Sequence, residues 1–225
     1  MSTPHLSRRT LLTLTSVTLL AGLAACAEEP RDYKPVLYIY PDRACELEVG
    51  LDYAGELTYT YPEPERSGRR AVWRVTASPD GTLTDATGRT YPYLFWEGIN
   101  PALMVQKEGF VVEAGQVSGF LEDKLALLGL SDREAAELIT FWGPRIQTTD
   151  EALITFAAEQ HEAIATYTFT HDDEPFTPDV FIRVYLVIGD VPAAPVPEQD
   201  LAPAPSRHGF TAVEWGGCDQ RSTSA

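Results

Sequence analysis

Apolar and polar residues alternate with a period of two through much of the first half of the chain. The stretch ELEVGLD places Leu47, Val49 and Leu51 on one side and acidic residues on the other, which is the pattern of a half-buried strand. Proline, aspartate and glycine in SPDG, at 78–81, form a turn between two further runs of this kind. We therefore predict five or six antiparallel strands between residues 34 and 98.

The period becomes helical after residue 114. In GQVSGFLEDKLALLGLS the apolar residues recur three and four positions apart and so share one stripe of a helix. The sequence SDRE, at 131–134, has the pattern of a capping box and begins a second helix, which we expect Pro144 to end. Strand patterns resume in ALITF, AIATYTFT and VFIRVYLVI. The prediction is an α+β fold, a mostly antiparallel sheet with a two-helix insertion around residues 115–143.

Five prolines fall within residues 191–206, and such a stretch is expected to cross the surface in an extended form without strand pairing. The following GFTAVEWGG again has a strand pattern, so we expect the chain to return to the sheet. Residues 34–217 would then form one α+β domain, with a tail at 218–225.

The first thirty residues have the pattern of an export signal. Two arginines precede an apolar run at 11–25, which is too short to span a bilayer and ends in small residues. SRRTLL resembles the twin-arginine export motif, and LAAC resembles the lipobox of bacterial lipoproteins. These resemblances imply a signal peptide at 1–25, lipidation of Cys26 by chains such as palmitate, and a tether at 26–33. The expected location is the extracytoplasmic face of the cell membrane, and an ordinary secretory signal with a chance cysteine is the alternative.

Charge limits the partners of the protein. The chain has 17 basic and 33 acidic residues, and removal of residues 1–25 with their two arginines leaves 15 − 33 = −18. Such a surface repels nucleic acid and anionic headgroups, so we expect no nucleic-acid partner and membrane contact through the lipid. The cysteines and histidines lack the paired spacing of a zinc site, and phosphate-binding loops are absent from the sequence, so neither metal nor cofactor is expected.

Cys45 and Cys218 are the two cysteines outside the lipobox. An exported protein meets an oxidising compartment in which such thiols commonly pair, so a disulfide between them is one hypothesis. It would close nearly the whole domain into one loop. A zinc site is the alternative, although two isolated cysteines do not show its spacing.

The stretch YPYLFWEG, at 91–98, is apolar on both faces of an extended strand, which predicts burial on two sides. A charge without a partner is costly in such surroundings. We therefore expect Glu97, or failing that Glu214, to form a structural ion pair with Arg183.

The pattern YxYP also occurs twice, at the ends of predicted strands. Besides two strands that end alike, it fits a stacking platform for sugars or peptides.

Six separated stretches resemble the signature segments of an uncharacterised family of bacterial exported proteins and lipoproteins. They lie between about residues 34 and 217 and read KPVLYIYPD, GELTYTYP, PDGTL, YLFWEG, FLEDKLALLGL and GFTAVEWGG. The resemblance implies one cohesive domain, and it implies no activity and no catalytic residues.

Two classes of function fit the sequence. The first is a non-catalytic envelope module that binds a polysaccharide, a peptide or a neighbouring envelope protein through aromatic surface. The second is a hydrolase of glycosidic bonds in which Glu97 and Glu214 divide the acid and the nucleophile or base roles. The histidines His161, His171 and His208 have no partners nearby in sequence, which favours the first class.

Overall fold

The computed structural model describes residues 31–222, which form two β-sheets and a pair of helices packed on one of them. The strands are β1 Arg31–Tyr40, β2 Cys45–Tyr53, β3 Glu56–Tyr61, β4 Glu65–Ser67, β5 Arg70–Ala77, β6 Leu83–Thr84, β7 Thr90–Tyr91, β8 Leu94–Ile99, β9 Phe110–Glu113, β10 Glu151–Phe156, β11 Ala165–His171, β12 Glu174–Pro175, β13 Val180–Gly189 and β14 Thr211–Asp219. The helices are α1 Val117–Leu127, α2 Asp132–Ile146 and α3 Ala158–Glu162, with a 3₁₀ turn at Ala114–Gln116.

Sheet 1 has the strand order β3-β8-β1-β14-β13-β10-β9, and sheet 2 has the order β12-β11-β2-β5-β6-β7 with β4 paired to β5. Strand β14 lies at the centre of sheet 1, antiparallel to β1 and parallel to β13. The stretch GFTAVEWGG therefore joins the sheet as the strand pattern predicted. Parallel neighbours need a crossover connection, and here residues 190–210 supply it.

This proline-rich crossing, residues 191–206, contains no strand and is fixed by side-chain and backbone hydrogen bonds. The amide of Gln199 accepts from the backbone N–H of Phe156 at 2.8 Å and donates to its carbonyl at 3.0 Å. The backbone N–H of Ala204 donates to the carbonyl of Leu127 at 2.9 Å. The crossing thus lies against α1 and the end of β10.

Sheet 1 is the middle of three layers. In β1, Leu37 and Ile39 pack against sheet 2, whereas Val36 and Tyr38 pack against the helix side. Each face of sheet 1 has its own hydrophobic core. Trp73 and Trp96 lie between the two sheets, and Trp142 of α2 and Trp215 of β14 lie between sheet 1 and the helices. Burial on both faces explains why the strands of sheet 1 are apolar in nearly continuous runs.

The α+β class predicted from the sequence is wrong. Strands make up 44% and helices 18% of the described residues, in two sheets with a short helix pair, so the fold is β-rich. The helices cover one face of sheet 1, while its other face is covered by a second sheet rather than by helices. The sequence patterns located strands but did not show that they divide between two sheets.

Local signals at the helices had different outcomes. The capping box is present. The Ser131 side chain accepts from the backbone N–H of Glu134, and the Glu134 side chain accepts from the backbone N–H of Ser131. Pro144 does not end the second helix, which continues to Ile146. The stretch YPYLFWEG is not one strand either, because Thr90–Tyr91 lies in sheet 2 and Leu94–Ile99 lies in sheet 1.

The expected domain limits also shift. Strand β1 begins at Arg31, within the stretch expected to be a tether, and β14 continues to Asp219, beyond the expected start of the tail at residue 218. The export signal and the lipobox cysteine Cys26 lie outside the described residues. Among residues 31–222 we find no helix with the length and apolar character needed to cross a membrane.

Candidate functional site

The residues singled out from the sequence lie on opposite faces of sheet 1. Leu37 of β1 is paired with Glu214 of β14 and with Leu94 of β8, and paired residues share a face of the sheet. Glu214 therefore faces sheet 2, as does Arg183, its partner in the parallel register. Glu97 is three residues from Leu94 and faces the helix side.

This geometry corrects two predictions. Carboxylates on opposite faces of a sheet cannot act on one glycosidic bond, so Glu97 and Glu214 do not form the acid and base pair of a hydrolase. For the same reason Glu97 does not pair with Arg183. Arg183 instead contacts Glu214, the second partner considered, with Nε and Nη2 at 2.7 and 2.6 Å from Oε2.

Glu214 is the centre of a buried polar network between the sheets. Only 2% of its surface is exposed. Its Oε1 accepts from the Tyr167 hydroxyl at 2.7 Å and lies 3.3 Å from Nε2 of His161. The Trp96 indole donates in turn to the Tyr167 oxygen at 2.7 Å, and Arg183 also donates to a backbone carbonyl. Glu214 and His161 are buried, whereas Tyr167 and Arg183 are partly buried.

Electrostatics determine the protonation of two members of this network, Glu214 and Tyr167. Burial by itself raises the pKa of Glu214, but the charge of Arg183 and the contacts with His161 and Tyr167 lower it to about 2. Burial, with the Glu214 charge, raises the pKa of Tyr167 well above its ordinary value. Glu214 is thus ionised, and Tyr167 remains protonated and donates to it.

A second buried carboxylate extends the network. Asp32 is 3% exposed and accepts from the hydroxyls of Tyr53 and Tyr185. The His161 ring stacks on Tyr185 with centroids 4.0 Å apart and so joins Asp32 to the Glu214 group. Burial, with the Asp32 charge, raises the pKa of the neighbouring Cys218 thiol to about 12.

The predicted disulfide is absent, since Cys45 and Cys218 are both free thiols. Cys45 lines a cleft with Phe210, which immediately precedes β14, whereas Cys218 lies near the other end of that strand. Eight residues of strand at about 3.3 Å each separate these ends by about 26 Å. A disulfide needs Cα atoms within about 7 Å, so the two cysteines cannot be joined.

The helix-side face of sheet 1 has an open cleft beyond the end of the helix layer. This aromatic cleft has a volume of about 390 Å³ and is lined by Lys34, Tyr59, Tyr61, Tyr93, Phe95, Glu97 and Phe141. A cleft of this size with few polar groups among aromatic side chains is typical of small-ligand sites. Three segments that are distant in sequence build it, namely the start of β1, the β3–β8 pair and α2.

Strand pairing explains how the aromatic side chains come together. The register of β3 and β8 places Tyr59 opposite Glu97 and Tyr61 opposite Phe95, all on one face. The rings of Tyr59 and Phe95 lie 5.8 Å apart between centroids. Tyr59 and Tyr61 are nevertheless 55% and 45% exposed, because β3 is an edge strand that the helices do not reach.

Lys34 reaches the cleft through an irregularity of β1. The pairing of β1 with β8 shifts register between Asp32 and Val36, and Lys34 has a φ of 49°. Such bulges redirect side chains and are common beside functional sites. The Lys34 amine lies 5.2 Å from the ring centroids of both Phe141 and Trp215, and its backbone N–H donates to Glu97 at 3.4 Å.

Sequence reasoning found part of this cleft. The second YxYP pattern, at 59–62, supplies both exposed tyrosines, which fits the stacking platform considered from the sequence. In the first pattern Tyr38 is buried and belongs to the core. Lys34 and Phe141 were missed, because a bulge within KPV and the position of α2 over β1 leave no periodic signal.

Within residues 31–222, no group of three or more His, Cys, Asp or Glu side chains is placed to bind a metal ion.

Comparison with known proteins identifies a relative but no function. The chain is a β-rich protein with an aromatic cleft at a sheet edge, and no family model and no solved structure matches it. A protein of Butyrivibrio fibrisolvens described as an uncharacterised protein in the bglA 3′ region is 44% identical over 86 residues. The match covers 36% of this chain and 85% of that protein. The chain therefore belongs to the same family as this uncharacterised protein.

Proposed function

We propose that this protein is a lipid-anchored, extracytoplasmic binding module that binds a carbohydrate in the aromatic cleft and has no catalytic role. The observation that supports it most is the pair of exposed rings, Tyr59 and Tyr61, beside Phe95 and Glu97 on one face of the sheet edge. The C–H face of a sugar ring is apolar and slightly positive, so it stacks on the negative face of an aromatic ring. Glu97 and Lys34 supply an acceptor and a donor for sugar hydroxyls.

A carbohydrate fits the cleft better than a peptide or a protein. An extended peptide would add to β3 through its free edge, but Arg66 donates to the Leu57 carbonyl on this strand at 3.3 Å and to the Thr60 hydroxyl at 3.0 Å. Charged side chains that cover an edge in this way oppose strand addition. A stable protein interface uses about 20 to 30 residues on each side, whereas seven residues line the cleft.

The proposed anchor would place the cleft close to the membrane. Lys34 follows Cys26 by eight residues, which span at most about 29 Å when fully extended. A saccharide bound at Lys34 would therefore lie within this distance of the lipid. The module would hold an envelope polysaccharide near the membrane surface.

Replacing Tyr59 or Tyr61 with alanine is expected to weaken saccharide binding about fivefold each, since a stacked ring contributes on the order of 1 kcal/mol. Binding can be measured by affinity electrophoresis through gels that contain soluble polysaccharides. The matched control is Val111→Ala, a 48% exposed apolar residue on β9 at the opposite edge of the same sheet. Tyrosine variants that bind as the wild type does would rule out the cleft as the site.

Cys26→Ala is expected to release the protein from membranes, because removal of the acylated side chain removes the proposed anchor. Fractionation of the producing cells, followed by immunoblotting, measures the change. Cys45→Ala serves as the control, since this thiol lies within the fold and is expected to leave the distribution unchanged. Retention of the Cys26 variant on membranes after a high-salt wash would contradict the lipid anchor.

A further inference from the structure

We infer that the saccharide is anionic and that the Lys34 amine binds its negatively charged group. This inference depends on the proposed function of the aromatic cleft. It specifies the chemical class of the ligand that stacks on the exposed tyrosines, which is an acidic sugar with a carboxylate or a sulfate.

The first support is the way in which Lys34 is presented. A left-handed backbone conformation is unfavourable for a lysine, and its cost persists only where the surroundings determine it. Here the bulge and the left-handed residue turn the amine to a position 5.2 Å above Phe141, a lining residue of the cleft. The unfavourable backbone conformation of Lys34 thus places a cation in the same cleft as the exposed tyrosines.

The second support is that, among residues 31–222, no hydrogen bond or ion pair of the Lys34 amine is formed. Its close neighbours are the faces of Phe141 and Trp215, and the Glu137 carboxylate acts on it only through its charge. The nearby acidic side chains are engaged elsewhere. Glu97 accepts from the Lys34 backbone N–H, and Glu137 accepts from the Tyr38 hydroxyl at 3.0 Å. An ammonium with unused donors in a cleft is a binding site for an anion.

The third support is the local arrangement of charge. Lys34 and Glu97 are the charged residues that line the cleft, so these two charges balance. The Arg145 guanidinium lies 3.7 Å from the centroid of the Phe141 ring and adds a second cation beside this lining residue. The whole chain has a net charge of −16, so the cleft is less negative than the chain as a whole. An anionic ligand would meet less repulsion there than on an acidic surface.

Electrostatics at Lys34 are consistent with this geometry. Burial lowers the pKa of its ammonium, the charge of Glu137 opposes this change and the charge of Arg145 adds to it. A ligand carboxylate or sulfate beside the amine would offset the burial and the repulsion by Arg145. Its binding would thus stabilise the charged form of Lys34.

Matched oligosaccharides test the inference. Isothermal titration would compare a neutral β-1,4-glucan hexamer with two derivatives of it, one oxidised to the carboxylate at C6 and one sulfated at C6. The wild type is expected to bind at least one derivative about tenfold more tightly than the neutral hexamer, and the preference is expected to decrease with salt. Comparison of the carboxylated and sulfated arms shows which anion the site accepts.

Two variants of Lys34 separate charge from shape. Lys34→Met is expected to weaken binding of the anionic derivative about tenfold more than binding of the neutral hexamer, which loses one hydrogen bond from the Lys34 amine. Lys34→Arg is expected to retain the preference for the anionic derivative. Equal affinity of the wild type for all three sugars would overturn the inference and leave the proposed function standing. Failure to bind any of them would overturn both. Equal loss of neutral and anionic binding in Lys34→Met would also overturn the inference, because it would show a structural effect on the cleft.

Discussion

Glu214→Gln is expected to lower the free energy of unfolding by about 3 to 5 kcal/mol, because it leaves the buried Arg183 without a counter-charge. Denaturant unfolding of the variant measures this loss. The control is Glu97→Gln, on the opposite face of the sheet, where the carboxylate is half-buried and the effect is expected to stay within about 1 kcal/mol. The contrast arises because one carboxylate lies between two sheets and the other lines an open cleft.

A double-mutant cycle tests whether the two charges act as a pair. The combined Glu214→Gln and Arg183→Met variant is expected to cost clearly less than the sum of the single variants, since neither charge is then left alone. Strict additivity, or a loss below about 1 kcal/mol for Glu214→Gln, would contradict the ion pair as a major stabilising contact.

The ion pair of Glu214 and Arg183 is expected to make the stability of the fold depend on pH in the acid range. The pKa of Glu214 is lowered from 4.5 to about 2 in the folded protein, so the folded state binds this proton less readily than the unfolded chain. The contribution of the ionised carboxylate is therefore present above pH 4.5 and is lost as the pH falls toward 2. We expect the stability difference between wild type and Glu214→Gln to shrink as the pH falls through this window.

Deletion of residues 207–225 is expected to abolish cooperative unfolding altogether. Strand β14 is the central strand of sheet 1, and its removal splits the sheet, leaving β1 paired only with β8 and β13 paired only with β10. It also removes the buried Trp215 from the helix-side core and Glu214 from the inter-sheet network. Each such loss costs several kcal/mol, against a total stability of about 5 to 15 kcal/mol.

Circular dichroism and calorimetry measure the result of this truncation. Deletion of residues 223–225 alone is the control and is expected to leave the melting temperature unchanged. A truncated protein that lacks residues 207–225 but melts cooperatively at the wild-type temperature would show that β14 is dispensable.

Local patterns predicted the elements of this fold better than their arrangement. The alternation of Leu47, Val49 and Leu51 and the capping box at Ser131 depend on neighbouring residues, so both can be recognised in sequence. The division of the strands between two sheets depends on pairings such as β2 with β11, which are more than 100 residues apart. Alternation marks one buried face of a strand, and it does not state whether a helix or another sheet covers that face.

The candidate site shows the same limit at the level of single residues. Sequence alternation assigns Glu97 and Arg183 to a face within their own strands, but only the inter-strand register shows that these faces are opposite. Lys34 is a further case, because the shift of register in β1 breaks the alternation at that point. The exposed tyrosines of YxYP could be proposed from sequence, whereas the cation beside them could not.

The central position of β14 also sets the order of events during synthesis. Strand β1 ends at Tyr40 and β14 begins at Thr211, so the ribosome adds about 170 residues before the two can pair. At about 5 to 20 residues per second this interval is roughly 9 to 34 s, during which the apolar β1 lacks its main neighbour. Co-translational folding of sheet 1 is therefore incomplete until β14 has been synthesised, and an export route that carries folded proteins would have to act after that point.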